Sequence, residues 1–295
     1  MRVHERLPSV SEDTAGVALV CLSAVCFGLL GIFGVYAQQA GLSVPTLLAG
    51  RFAVASVVVW ALLAATGRAR LLRGRALAAG LALGGLGYAA MNGLYFYGLE
   101  FMTAGMVAIV LYTYPAFVVV LALLVVGERI TRTTVLALAL SLGGVALAVG
   151  ANAAGASVPG VLVVLGASVA YAAYITVSRQ LLRDTDPVVL TAHVVPAAGV
   201  SFAGFGLATG TLAVPSTPSA WAVVAGIAIL STVIPVFAFF AGLQRIGASR
   251  SSIVSTVEPP TTVAFGALLF GEPVTVVTVA GGAMVLAAVV ILNRE

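Results

Sequence analysis

Long apolar runs separated by short polar breaks dominate the chain. A helix needs roughly 20 mostly apolar residues to cross a bilayer, and ten such runs can be placed. The first five are Ala15–Tyr36, Thr46–Ala65, Ala76–Tyr97, Ala104–Val126 and Thr133–Gly150. The second five are Pro159–Leu181, Val188–Thr209, Ser219–Leu243, Ser249–Phe270 and Val274–Leu292. Between them lie chain breakers: Gly41 with Pro45, Gly67, Pro187, Pro215 with Pro218, and Pro273. A barrel strand would show about 10 residues of alternating polarity. These runs are longer and unbroken, and a helix satisfies its own backbone groups in lipid. The pattern predicts an all-α integral membrane protein of ten transmembrane helices.

The pattern also repeats. Gly98 to Glu128 and Gly242 to Glu272 match at a constant offset of 144 residues. Gly98, Leu99, Ala104, Ile109, Val110, Pro115, Val119, Leu124, Gly127 and Glu128 all recur there. The expected organisation is a tail over residues 1–14, a first five-helix unit over 15–150 and a second over 151–295. Five is odd, so the second unit must enter the membrane upside down. Inverted repeats about an axis in the membrane plane are common among secondary transporters, where rocking halves expose a central site to each side in turn.

Composition supports the membrane reading. Of 295 residues, 61% are hydrophobic and 8% charged, and the mean hydropathy is +1.15; soluble domains carry about 25% charged residues. The net charge of +4 comes from arginines scattered singly between apolar runs, which argues against nucleic acid as a partner. With the N-terminus inside, thirteen of the fourteen basic residues fall on the cytoplasmic side, as the positive-inside rule requires. Arg51, inside a run, is the exception. This predicts a multi-pass plasma (inner) membrane protein with both termini in the cytoplasm. Cys21 and Cys26, five apart in the first run, suit neither a metal nor a disulfide and read as small buried packing residues. The small-residue pairs Gly80 and Gly84, Ala139 and Gly143, Gly143-Gly144 and Gly281-Gly282 suit close helix contact.

The two halves each close on A-x(10)-P-x(12)-E: Ala104, Pro115 and Glu128, then Ala248, Pro259 and Glu272. In this, with Gly98-Leu99 and Gly242-Leu243 ahead of it, the chain resembles the EamA-type transporters of the drug/metabolite transporter superfamily. Arg51, in Leu48-Ala49-Gly50-Arg51-Phe52, resembles the arginine typical of that family's second helix. The resemblance covers about residues 15 to 292. It implies a carrier with a central cavity lined by both halves, often an exporter of amino acids or related metabolites.

Ionisable residues inside a span are costly and usually face an interior or a water path. Glu258 is the deepest, and the first copy lacks it. It can bind an amino group, carry a proton or pair with an arginine. Its neighbours Pro259 and Pro260, like Pro115 in the first copy, interrupt a helix, which suits a broken-helix site. Arg51 can attract a carboxylate; the favoured alternative is that it snorkels to the interface or bonds loop carbonyls and acids such as Glu100 or Glu272. His193 reads as an ordinary hydrogen-bonded histidine rather than a proton relay. Tyr88, Asn92 and Tyr95 share one helical stripe at i, i+4, i+7. Tyr112 and Tyr114 beside Pro115, and Tyr171 and Tyr174 with Ser178, offer further hydroxylated rings for a partly apolar solute. Their alternative is core packing or an interfacial belt. Glu128 and Glu272 read as caps at helix ends, and Trp60 and Trp221 as interfacial or packing residues.

The leading reading is a secondary, non-ATP transporter, an exporter of a small organic metabolite such as an amino acid. No GxxxxGK[ST] loop is present for ATP. An intramembrane enzyme is the weaker alternative, because HExxH and GxSxG are lacking. A non-transporting structural or regulatory subunit is another. No catalytic residue, cofactor or metal is expected. The expected partners are a small-molecule solute and lipid, and a homodimer is left open.

Overall fold

A computed structural model describes residues 12–98, 101, 107, 110–127, 129–148, 157–270 and 276–293. The first half comprises α1 (Glu12–Gly28), α2 (Leu30–Gln39), α3 (Val44–Ala65), α4 (Gly74–Ala82), α5 (Ala89–Gly98), α6 (Tyr114–Leu121) and α7 (Arg132–Ala148). The second comprises α8 (Val158–Leu181), α9 (Pro187–Ala208), α10 (Pro218–Ala228), α11 (Ile234–Val254), α12 (Glu258–Phe270) and α13 (Val276–Asn293). Among the described residues all regular structure is helical.

Local chemistry explains where these helices start. Ser43, Ser157, Asp186 and Thr217 each accept a backbone N–H of the first turn, from Thr46, Gly160, Val188 and Ala220. A proline follows within two residues in every case, where its missing N–H costs nothing. The starts lie within two residues of those predicted from hydropathy.

Among the described residues six helical stretches are long and apolar enough to cross a membrane, with Tyr114–Val125 and Val279–Ile291 as shorter apolar ones. The last of the six, Pro218–Leu269, has 52 residues. Straight, it would reach about 78 Å at 1.5 Å per residue, far beyond a hydrocarbon core of about 30 Å. It turns instead at Gly247, whose φ of 80° is a conformation open to glycine at little cost. Large apolar side chains face outward: Leu86, Leu124, Val200, Leu268 and Val276 are all largely exposed. In water this would drive aggregation; in lipid it is the expected surface. The protein is a multi-pass membrane protein.

Helices pair across the halves: α1 packs on α11, α3 on α9, α5 on α8 and α7 on α13. Small residues set the closest approaches. A Cβ on Gly144 would lie 2.6 Å from the Gly281 carbonyl oxygen, and one on Gly84 only 2.1 Å from that of Val194. The small-residue pairs therefore act in packing, as expected. Gly84→Ala should separate α9 from its neighbour, with a cost in the ~1–3 kcal/mol range of overpacked sites and a clear drop in detergent melting temperature. Gly34→Ala, whose Cβ meets nothing within 4 Å, should leave the melting temperature unchanged or slightly raised.

Three features depart from straightforward spans. The predicted run Ala15–Tyr36 is two helices parted at Leu29, and the described part of the fourth run is interrupted at Tyr112–Thr113 before α6. Wide π-helical turns occupy Leu83–Tyr88, Ala122–Val126 and Ile229–Val233. Cys21 and Cys26 are free thiols and only partly buried. The expected full burial does not hold: both lie toward the outer side of α1, whose inner side packs on α11 and α12.

Candidate functional site

The π-turn at Ile229–Val233 and the one at Leu83–Tyr88 lie on opposite sides of Arg51, which bridges them. Extra residues in such turns rotate the groups that follow, and π-turns recur at functional sites. Ser231 here has φ −116° and ψ 16°, off the helical values. Arg51 Nε donates to Thr232 Oγ1 at 2.5 Å, and Nη2 donates to the Ser231 carbonyl at 3.0 Å. Nη2 also reaches the Tyr88 hydroxyl at 3.4 Å, and the guanidinium carbon stands 4.8 Å from the Phe52 ring centre. With 1% exposure, Arg51 does not snorkel. Thr232 and Ser231, supplied by the other half, give it partners within the protein. Glu100 and Glu272, its other expected partners, lie outside the described residues.

From Tyr88 a row of aromatic rings runs through the bundle. Tyr88 stacks on Tyr174 at 5.2 Å between centroids, Tyr174 on Tyr171 at 6.2 Å, and Tyr171 meets Tyr114 at 4.5 Å. Tyr112 follows at 6.3 Å. The Tyr112 hydroxyl stands beside the Glu258 carboxylate, so the row runs from the Arg51 guanidinium to an acid. The Glu258 side chain also lies within electrostatic reach of Arg51, Tyr95, Tyr114 and Tyr171. Asn92 Nδ2 donates to the Tyr88 carbonyl at 2.8 Å, so Asn92 is satisfied on its own helix. Glu258, Tyr95 and Tyr171 retain some exposure, while Tyr88, Asn92, Tyr112, Tyr114 and Tyr174 are buried.

Helix breaks place these groups. A 3-10 turn at Ser255–Val257 ends the segment before α12, and Glu258 is the first residue of the new helix with Pro259 and Pro260 in its opening turn. Tyr114 and Pro115 likewise open α6. Proline is well tolerated in a first turn, so the break precedes the prolines. Tyr114 and Glu258, 144 residues apart, thus hold the same place in their copies, both at a fresh helix start. The Tyr114 hydroxyl donates to the Ser252 carbonyl at 3.3 Å.

Arg51, Glu258, Asn92 and the predicted tyrosines on described residues therefore join one cluster. Ser178 Oγ instead donates to the Tyr174 carbonyl of its own helix at 2.6 Å, and the other exception is His193. Its Nε2 accepts the Leu72 N–H at 3.2 Å and Nδ1 faces the Val189 carbonyl at 2.8 Å, against the edge of Trp60. That geometry ties a loop to α9 and suits a structural histidine. Ala104, Glu128 and Glu272 lie outside the described residues. Thr232, Ser231 and Phe52 were missed in sequence reading; a threonine after a serine inside an apolar run was the available signal. Among the described residues no group of three or more His, Cys, Asp or Glu is placed to hold a metal ion. A cavity of 560 Å³ is a groove between α3 and α9, lined by Ala49, Gly50, Gly199 and Ala203 with larger apolar residues, and it meets the cluster at Phe52.

Comparison with known proteins gives the cluster a context. The profile of the EamA-like transporter family matches twice, over residues 14–150 and 158–294. The chain is 27% identical over 302 residues to the uncharacterized transporter YcbK of Bacillus subtilis, covering 95% of this chain and 93% of that one. It is 28% identical over 214 residues to an uncharacterized transporter of Archaeoglobus fulgidus, covering 71% and 76%. A solved crystal structure superposes with a TM-score of 0.81 at 19% identity over 94% of this chain and 96% of that one, a likeness of fold.

Proposed function

The chain belongs to the EamA-like transporter family, and from that premise we propose that this membrane transporter is a secondary carrier exporting a small organic metabolite. The family indicates a transporter rather than an enzyme. Ten spans in two inverted five-helix units, residues 15–150 and 151–295, form the scaffold. The tail at 1–14 and the C-terminus lie in the cytoplasm, and the membrane is the plasma membrane. The cross-half pairing supports this reading. An axis relating the units exchanges α1 on α11 with α8 on α5, and maps α3 on α9 and α7 on α13 onto themselves. The wide turns at Leu83–Tyr88 and Ile229–Val233 recur at nearly the same offset.

The observation that carries the site is the tyrosine row ending on Glu258. Tyr88, Tyr95, Tyr112, Tyr114, Tyr171 and Tyr174 offer ring faces and hydroxyls, and Asn92 an amide, to a partly apolar solute. Glu258 supplies the charge that recognises an amino group or carries a proton. The cargo this fits is an amino acid or similar amine-bearing metabolite, with Arg51 at the carboxylate end. Pro115, Pro259 and Pro260 keep the two helix starts open toward the cargo. Alternating access follows if the halves rock about the cluster.

A ligand panel tests this. Purified protein is screened by melting temperature against metabolites at about 100 times a plausible Kd, where stabilisation is about 2.7 kcal/mol. Hits are followed by counterflow in proteoliposomes. Amines and amino acids should stabilise the protein and exchange across the membrane. No stabilisation and no flux across a broad panel would mark the chain as a non-transporting subunit.

A further inference from the structure

At the arginine-bearing end of the bundle, away from the tyrosine row, lies a pocket of 330 Å³. At ~30 Å³ per water it has room for a phosphoryl group and its first water shell. Four arginines line it: Arg129, Arg179, Arg245 and Arg250. They converge from three parts of the chain. Arg129 sits ahead of α7, Arg179 is in the last turn of α8, and Arg245 and Arg250 flank the bend at Gly247. The start of α7 joins them, with the Thr134 N–H donating to the Thr131 hydroxyl at 3.0 Å. A helix N-terminus adds partial positive charge to that of the guanidinium groups.

Among the described residues, two acids are paired with these arginines. Arg245 Nε donates to Glu12 at 3.0 Å and Arg250 Nη1 to Asp13 at 2.8 Å. Both acids stand in the first turn of α1 and their side chains are 86% and 54% exposed. Even with Glu128, the residue before Arg129, counted against them, four arginines outnumber three acids. Arg179 is anchored by donating Nη1 to the Gln244 carbonyl at 2.5 Å, so the charges are held in place rather than free to disperse.

We propose that this pocket binds a phosphate-bearing anion. Guanidinium forks suit phosphate oxygens bidentately, and two of these arginines already hold carboxylates there. The incoming anion displaces Glu12 and Asp13 from the rim. A soluble phosphate and an anionic phospholipid headgroup share this chemistry, and these arginines lie between or at the ends of apolar runs in the sequence, where spanning helices meet the headgroup layer. The inference is independent of what the carrier transports.

The test uses the full chain in neutral detergent at low salt. Melting temperature is followed against inorganic phosphate with chloride at matched ionic strength as control. Phosphatidylglycerol is titrated in parallel against phosphatidylcholine. Saturable stabilisation by phosphate alone identifies a soluble ligand, and by phosphatidylglycerol alone a lipid headgroup. In either case the double variant Arg129→Gln/Arg245→Gln should bind at least tenfold more weakly. Glu12→Gln/Asp13→Asn should bind several-fold more tightly, a gain that mere loss of packing would not produce. Absence of saturable stabilisation beyond both controls, or unchanged affinity in the arginine variant, overturns the proposal. Should that variant fail to fold, absence of a gain in the acid variant overturns it instead.

Discussion

Glu258→Gln is expected to lower transport of an amine-bearing cargo by roughly 10- to 150-fold while the protein still folds. The substitution is nearly isosteric and leaves the Tyr112 hydroxyl an amide to bond. What disappears is a charge, and a hydrogen bond to a charged group contributes about 1.5–3 kcal/mol, which sets the fold-change. A half-buried side chain at a helix start has few packing contacts to lose, so the melting temperature should move little. Glu258→Asp keeps the charge, retracts it by one methylene and should fall between. If Glu258 also carries the coupling proton, uptake driven by a pH gradient into inverted vesicles should vanish in the glutamine variant. Full transport with an unchanged pH profile would show that Glu258 serves neither purpose.

Arg51→Ala should be the most damaging single change to stability, because each buried group left without its hydrogen-bond partner costs about 1–3 kcal/mol. Thr232, Ser231 and Tyr88 would lose their donor together, and the Phe52 ring would lose its cation. Arg51→Lys should recover only part of this, because one ammonium cannot reach partners that a planar fork spans. Combining Arg51→Ala with Thr232→Val should cost clearly less than the two single changes added, since both delete one contact. Thermal unfolding in detergent reads all four proteins. Additive losses would mean that the Arg51–Thr232 bond contributes nothing.

Much of the cluster was legible in the sequence. Tyr88, Asn92 and Tyr95 fall on one stripe because helix periodicity puts them there. Glu258 stood out because lipid penalises an unexplained acid. The recurrence of Pro115 at Pro259 showed that Tyr114 and Glu258 hold matching positions. Arg51 was misread in part. Snorkelling is the cheaper outcome for an arginine that faces lipid, but this one faces the other half of the molecule. His193 was read as a plain hydrogen-bonded residue, and its bonds to Leu72 and Val189 agree.

Hydropathy could not reveal the π-turns. One added residue in a turn leaves the apolar run intact, yet it rotates Ser231 and Thr232 toward Arg51. Nor could it bring Arg51 and Thr232 together, since 181 residues separate them. The order of the aromatic row, Tyr88, Tyr174, Tyr171, Tyr114 and Tyr112, likewise depends on how α5, α6 and α8 cross.

Alone, then, the sequence determined a helical membrane protein, its internal repeat and the residue types available for a site. Those properties follow from one-dimensional rules: lipid demands apolar length and satisfied backbone, and a repeat is an identity at fixed offset. Only the tertiary structure decided that the acid and the arginine bracket a continuous row of tyrosines. Those contacts join residues from both halves, and close packing across small residues such as Gly84 and Gly144 sets which side chains can meet.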